Sequence, residues 1–262
     1  MPSVFQDLDL NSNPQSEFDR LTKKTHMPLG KALLRYRESL SVMGLKDPVP
    51  QKLGKGSFGA AFETGIGGGK SVLKFTRDPY EVVTSIMLRG KKFDHVVPIF
   101  EVWSLPDTQP KSNWAAWFLI HRGYLKPLTE KDKKMVNILF DIWMDEDLGL
   151  DVPDVSPGAR AMRAKWEMYV KEELREHRNM AELPRAMDVL RQIATGIREL
   201  RSIGIDWEDF HSGNMMVGPK NVLMIADVGY GVPRKKFHFD VPAFTDDVAK
   251  KYARGFTLPS AA

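Results

Sequence analysis

Asp209-Phe210-His211-Ser212-Gly213-Asn214 forms a D-x-x-x-x-N motif, and Asp227-Val228-Gly229 follows it as a second acidic motif. Phosphoryl transfer from a nucleotide needs groups of these types. One carboxylate lies beside the attacking hydroxyl, while an amide oxygen and a second carboxylate hold Mg2+ against the phosphates. Asp209 is the expected base, because a carboxylate is ionised at neutral pH and offers two acceptor oxygens. Asn214 and Asp227 are the expected metal ligands, with water and phosphate oxygens in the remaining positions. Asp206 is a rival base, but only Asp209 stands at the D-x-x-x-x-N interval from Asn214. His211 either stabilises charge on the transferred group as a cation or stays neutral, fixed by backbone hydrogen bonds.

A phosphate cradle and a cation must accompany these acids. Leu53-Gly54-Lys55-Gly56-Ser57-Phe58-Gly59 contains G-x-G-x-x-G, and Val72-Leu73-Lys74-Phe75 places a lysine in an apolar run. Glycines at Gly54, Gly56 and Gly59, with Ser57 between them, leave backbone N–H groups free to close over phosphate oxygens. The same glycine spacing marks dinucleotide folds, where a helix follows at once. Here residues 60–64 read as a strand, a glycine turn follows, and 71–76 read as a second strand, which favours a glycine hairpin. Glu81, on an expected helix over 80–89, is the only glutamate between Lys74 and Ile99. It is the expected ion-pair partner of Lys74, the alternative being a surface carboxylate favoured by the helix dipole. By likeness to protein kinases, the segment 119–125, with Ile120 and Arg122, looks like the hinge, whose backbone would meet the adenine edge.

In this order the motifs resemble those of protein kinases. A closer likeness is to the early serine/threonine kinases of podophages, on two features. Their D-[hydrophobic]-H-S-G-N-[hydrophobic]-M loop matches 209–216, and their glycine loop runs into Ala-Ala-aromatic, here Ala60-Ala61-Phe62. The likeness covers roughly 53–227. It implies an α+β, two-lobed protein-kinase-like fold with a small antiparallel-sheet N-lobe and a mainly helical, shortened C-lobe. ATP and Mg2+ are the implied cofactors, and a protein of a bacterial host is the implied partner. Serine/threonine kinases have a lysine at the place of His211, and aminoglycoside-type kinases a histidine. Glu208 stands where an arginine would receive an activation-loop phosphate, so control by that route is not expected.

Little chain remains after Gly229 for the helices that hold a peptide substrate. An insertion over 129–178 resembles the arrangement in aminoglycoside and choline kinases, so a small-molecule kinase is the alternative. A pseudokinase serving as an interaction module is a second alternative.

Other chemistries find little support. Thr64-Gly65-Ile66-Gly67-Gly68-Gly69-Lys70-Ser71 nearly spells a Walker A loop, but its first glycine falls on Thr64 and a strand follows, so a hairpin turn is expected. The histidines lack paired metal-ligand spacing, and no serine has an identifiable histidine–acid partnership. Of the 262 residues, 42% are hydrophobic and 27% charged, an ordinary balance for a globular protein, and cysteine is absent. The first residues lack the build of a signal peptide, and apolar runs such as 114–120 are far too short to span a bilayer. A cytoplasmic protein with no membrane partner is expected. The net charge of +4 is mild, and nucleic-acid binding has no motif in its favour. Arg234-Lys235-Lys236 follows the D-x-G motif and is a candidate grip for an acidic or phosphorylated partner.

Periodicity and breakers then divide the chain. Residues 1–50 read as an arm and a helix over 29–43, 51–122 as the N-lobe, and 123–262 as the C-lobe. Helices are expected at 130–143, 160–178, 185–203 and 245–254, and strands at 95–105 and 114–121. The apolar stretch 222–225 reads as a buried strand that presents Asp227.

Overall fold

A computed structural model describes residues 27–45, 52–55, 59–108, 117–145, 159–176, 179–207, 209–229, 231–233 and 241–258. Gly56, Ser57, Glu208, the basic cluster 234–236 and residues 1–26 and 146–158 lie outside the described residues. In chain order the elements are α1 (Leu29–Arg35), α2 (Arg37–Val42), β1 (Lys52–Lys55), β2 (Gly59–Thr64), β3 (Ser71–Thr76), α3 (Pro79–Leu88), β4 (Ile99–Leu105) and β5 (Trp117–Gly123). There follow α4 (Glu130–Asp145), α5 (Ala159–Glu176), α6 (Leu183–Ser202), β6 (Ile205–Trp207), β7 (Met215–Val217), β8 (Leu223–Ile225), β9 (Gly231–Pro233) and α7 (Asp246–Gly255). The chain is α+β, and it divides into two compact units: 1–91 with 98–124 and 235–262, and 92–97 with 125–234.

The first unit is built on a five-stranded sheet of order β1-β2-β3-β5-β4, with each neighbouring pair antiparallel. Alternation along its strands creates two faces. One carries Ala60 and Phe62, Leu73 and Phe75, Trp103 and Leu105, and Trp117 and Leu119, all buried in one apolar cluster. The helices α1 and α2 cover this face with Ala32, Tyr36, Leu40 and Met43, and α7 adds Ala249 and Tyr252. The opposite face carries Lys74, with Ala61 and Ile120 directly across from it. Glu81 of α3 meets Lys74 there.

Two expectations about this unit are corrected. The helix expected over 29–43 breaks at Tyr36, whose ψ of 17° interrupts the α1–α2 run; its ring is needed in the core, tilted against Phe244 at 5.9 Å. The C-terminal segment, expected in the C-lobe, groups with the sheet unit instead. Backbone hydrogen bonds explain this. Ser104 N–H donates to Pro242 O at 2.9 Å and Phe244 N–H to Ser104 O at 2.8 Å, which pairs the segment with the free edge of β4. Phe244 is then buried against Trp103, and α7 crosses the apolar face as far as the β2–β3 turn, where Leu258 N–H donates to Gly67 O at 3.4 Å.

That turn is the Walker-like run, and it is a hairpin, as the strand pattern required. Gly67 has φ +77°, and a Cβ there would stand 2.7 Å from the Phe256 ring. Positive φ and close approach of the C-terminal segment account for the glycines without a phosphate.

His121 of β5 sits inside the same packed face with no exposure. Burial holds its pKa down, from 6.5 to about 3. The unfolded chain therefore binds this proton more readily than the fold does. Its contribution to stability falls as pH drops from about 6.5 toward 3 and levels off below. Glu101, paired with Arg89, stands cross-strand from it, and the neutral Tyr252 hydroxyl lies 2.9 Å from its Nδ1. Thermal melts across this range should show a shallower acid decline for His121→Gln than for the natural protein; an identical slope would refute the assignment.

The second unit packs α4, α5 and α6 through Val136 and Leu139, Trp166 and Val170, and Leu190, Ile193 and Leu200. Two short antiparallel pairs, β6–β9 and β7–β8, complete it. Glu199 of α6 accepts from the N–H groups of Asp94 and His95, both at 2.9 Å. His95 O in turn accepts from Ile225 N–H at 2.8 Å, so α6 and the 92–97 segment together hold β8. No helix among the described residues is long and apolar enough to cross a membrane.

Candidate active site

The lysine set belongs to the sheet unit. Asp78 caps α3 by accepting from Tyr80 N–H at 2.9 Å, and Pro79 fits the first turn, where no N–H is needed. Capping fixes where Glu81 lies. Although it is in the first turn, it is only 4% exposed, and its carboxylate pairs with the Lys74 ammonium. The reading of Glu81 as a surface carboxylate therefore fails. Thr84, one turn further, bonds back to Tyr80 O at 2.9 Å and keeps its hydroxyl satisfied in the core. The Lys74 side chain is 13% exposed, so the ion pair sits in a weakly screened environment.

Of the glycine loop, Gly54 and Gly59 are described, on the antiparallel strands β1 and β2. A helix does not follow the loop, which disposes of the dinucleotide-fold reading. Gly59 has a packing reason of its own: a Cβ there would stand 1.9 Å from Phe75 O of β3.

The backbone role expected of Ile120 and Arg122 does not hold. Both lie in β5, an interior strand, where Ile120 pairs with Lys74 and Val102, and Arg122 with Val72 and Ile99. Backbone groups engaged on both sides of a strand are not open to a base edge. The ladder ends at Gly123, whose N–H donates to Pro98 O at 2.9 Å.

The acidic set belongs to the second unit and is assembled around Asn214. Phe210 is fully buried, edge-on to Phe140 and Trp143 of α4 at 6.1 and 5.9 Å, and so anchors the loop between its two polar neighbours. Asn214 Nδ2 donates to Asp209 Oδ2 at 2.6 Å and to Asp209 O at 2.9 Å. Its backbone carbonyl accepts from Ala226 N–H at 2.8 Å and Asp227 N–H at 3.3 Å. One asparagine thus orients Asp209 with its side chain and fixes Asp227 with its main chain. The amide nitrogen is committed, so the oxygen Oδ1 is the atom left to face a cation.

Asp227 is held by three further devices. The β7–β8 pairing of Met215 with Ile225 delivers it from a buried strand, as expected from 222–225. Its Oδ1 accepts from Gly229 N–H at 3.1 Å, and its carbonyl accepts from the Trp207 indole at 3.0 Å. The indole bond was not legible in the sequence, although an Ile-Asp-Trp strand ending just before the loop is a visible candidate. Asp206, the rival base, lies on β6 within 3.3 Å of Arg201 Nε.

Gly213 N–H donates to His211 Nδ1 at 3.0 Å, which assigns the ring proton to Nε2. That atom faces Asp209 Oδ1 at 3.5 Å. A Cβ on Gly213 would stand 2.9 Å from the Nδ1 it serves, so glycine is what allows the contact. Burial is the main influence on the Asp209 carboxyl and pushes it up. His211 and the Asn214 hydrogen bond pull it down, and the Asp227 charge pushes it up again, leaving a net rise. Two carboxylates that disfavour each other's charge are the setting that a divalent cation relieves. Among the described residues no group of three or more His, Asp or Glu side chains forms a cation cage. The set fits a metal that takes few protein ligands, as Mg2+ does when phosphates supply the rest.

No family model matches the chain. No curated protein is significantly similar to it.

Proposed function

We propose that this chain is an ATP- and Mg2+-dependent protein kinase that transfers the γ-phosphate to serine or threonine hydroxyls, encoded by a phage and acting on proteins of its bacterial host. The observation that carries the phosphotransferase reading is Asn214, which holds Asp209 by its side chain and Asp227 by its main chain. The buried Lys74–Glu81 pair supports it, because an ammonium fixed in place is what the α- and β-phosphates require. The protein substrate and the phage origin rest on the resemblance of the loop 209–216 and of Ala60-Ala61-Phe62.

In this reading Asp209 orients the acceptor hydroxyl and takes its proton as the oxygen–phosphorus bond forms and the bond to the ADP oxygen breaks. Asn214 Oδ1 and the Asp227 carboxylate would hold Mg2+, which supplies charge neutralisation at the phosphates. His211, with its proton on Nε2, donates toward Asp209 and steadies the base. Lys74, held by Glu81, binds the nucleotide. The kinase fold, the cofactors and the cytoplasmic setting are parts of this one proposal.

Incubating the full chain and its Asp209→Ala variant with γ-labelled ATP and bacterial lysate tests it. Label on serine and threonine of protein bands, absent with the variant, is the expected result. Label confined to small metabolites would replace the protein substrate by a small one, and no transfer at all would remove the enzyme. The carbonyl bond from Trp207 gives a second expectation. Trp207→Phe keeps the buried ring but loses the indole donor, and should raise the Mg2+ concentration for half-maximal activity by about fivefold, the scale of one neutral hydrogen bond. An unchanged Mg2+ requirement would show that the indole does not position Asp227.

A further inference from the structure

We propose that Tyr252, on the C-terminal helix α7, is a positioning residue for the strand pair that carries Lys74, acting through His121 and Ser71 from the opposite face of the sheet. The imidazole of His121 joins three elements. Its Nδ1 lies 2.9 Å from the Tyr252 hydroxyl, and its Nε2 lies 2.8 Å from the Ser71 hydroxyl. Ser71 opens β3, the strand of Lys74, and His121 follows Ile120, which stands directly across from Lys74. A neutral imidazole has one donor and one acceptor nitrogen, so the two hydroxyls take complementary roles and complete a chain.

Water is poorly placed to substitute for this chain. His121 and Ser71 have no exposure, and the rings of Phe100, Phe256 and Tyr252 surround the imidazole at 5.0, 4.7 and 5.6 Å. A ring nitrogen left without a partner there carries its full desolvation cost. The imidazole must then turn or the strands must shift; β3 bears Lys74, and β5 places Ile120 directly across from it.

The hydroxyl is not what docks α7. Thr245 caps the helix by accepting from Val248 N–H at 3.3 Å, Asp246 accepts from the Ser39 hydroxyl, and Phe244 is buried beneath Trp103. The Tyr252 ring itself stacks on Phe256 at 5.1 Å and meets Trp103 edge-on at 4.9 Å, contacts that phenylalanine would keep. Removing the hydroxyl therefore separates positioning from packing. The consequence for nucleotide rests on the function proposed above; the coupling of α7 to β3 and β5 does not.

The experiment compares the full chain with Tyr252→Phe and, at the other end of the chain of bonds, Ser71→Ala. Amide hydrogen exchange is measured without nucleotide, and KM for ATP and kcat are measured in the transfer assay. Both variants should speed exchange in 71–76 and 117–123 by about fivefold while α7 keeps its protection. Both should raise KM for ATP by about fivefold with kcat within about twofold. Unchanged exchange in the two strands overturns the coupling. So does loss of protection in α7, which would make the hydroxyl a docking contact. Faster exchange with an unchanged KM overturns the positioning role. A natural chain that transfers no phosphate fails the proposed function instead, and the exchange comparison still decides the coupling.

Discussion

Asp209→Ala should lower kcat by about two to four orders of magnitude, the range associated with loss of a positioned general base. Affinity for ATP should stay within about threefold, because a base acts on the acceptor and contributes little to holding the nucleotide. The site explains why no neighbour rescues the loss. Asp206 lies on β6 beside Arg201, and Asp227 is tied by Gly229 N–H and by its own backbone bonds to Asn214. Asp209→Asn should be nearly as inactive. An amide in that place can still accept from Asn214 Nδ2 through its oxygen, but its nitrogen then takes the place of the second carboxylate oxygen, so the proton acceptor is lost. Single-turnover rates with saturating ATP check this directly, and a rate within tenfold of the natural protein's would assign the base elsewhere.

Lys74→Met should show a larger effect on folding than a surface lysine would. Glu81 is only 4% exposed, so removing its partner leaves a buried carboxylate uncompensated. Breaking such a pair costs about 3–5 kcal/mol, while replacing both members with apolar groups is often nearly neutral. The double variant Lys74→Met with Glu81→Leu should therefore recover most of the stability lost in the single variant. It should recover none of the activity, since the ammonium remains absent. Denaturant titration and turnover, measured on the same preparations, separate the two effects. If the double variant regained turnover, the pair would be a structural bridge with no part in phosphate binding.

Much of the site was legible because its chemistry is local. A lone lysine in Val72-Leu73-Lys74-Phe75 had to sit on a strand, and one glutamate was within reach of it. The D-x-x-x-x-N interval brings Asp209 and Asn214 to one turn whatever the rest of the fold does. The Glu81 result also shows a limit: closeness to a helix start says nothing about burial, and the sheet beneath α3 decided it.

Where the reading failed, the deciding interaction was long-range. The residues Val248, Ala249, Tyr252 and Phe256 announce a helix with an apolar side, but periodicity does not say which sheet that side will meet. The edge of β4 at Ser104 pairs with the C-terminal segment and helps direct it to the first unit. In the same way, the continuous apolar run before His121 suits an interior strand as well as a segment leaving a sheet. The pairing of Ile120 and Arg122 on both sides resolved it against the backbone role expected of them. Tyr36 breaks a helix that its own sequence would allow to continue, because the core needs its ring against Phe244.

The central proposal is that this chain is an ATP- and Mg2+-dependent phosphotransferase that uses Lys74 and Asp227. Equilibrium binding of ATP, with Mg2+ and with a chelator, measured for the natural chain, Lys74→Met and Asp227→Asn, tests it most directly. The account predicts saturable binding that Mg2+ tightens by about tenfold or more. Lys74→Met should weaken binding under both conditions, and Asp227→Asn should abolish the Mg2+ effect alone. Binding that is absent, or that neither substitution alters, would contradict the claim.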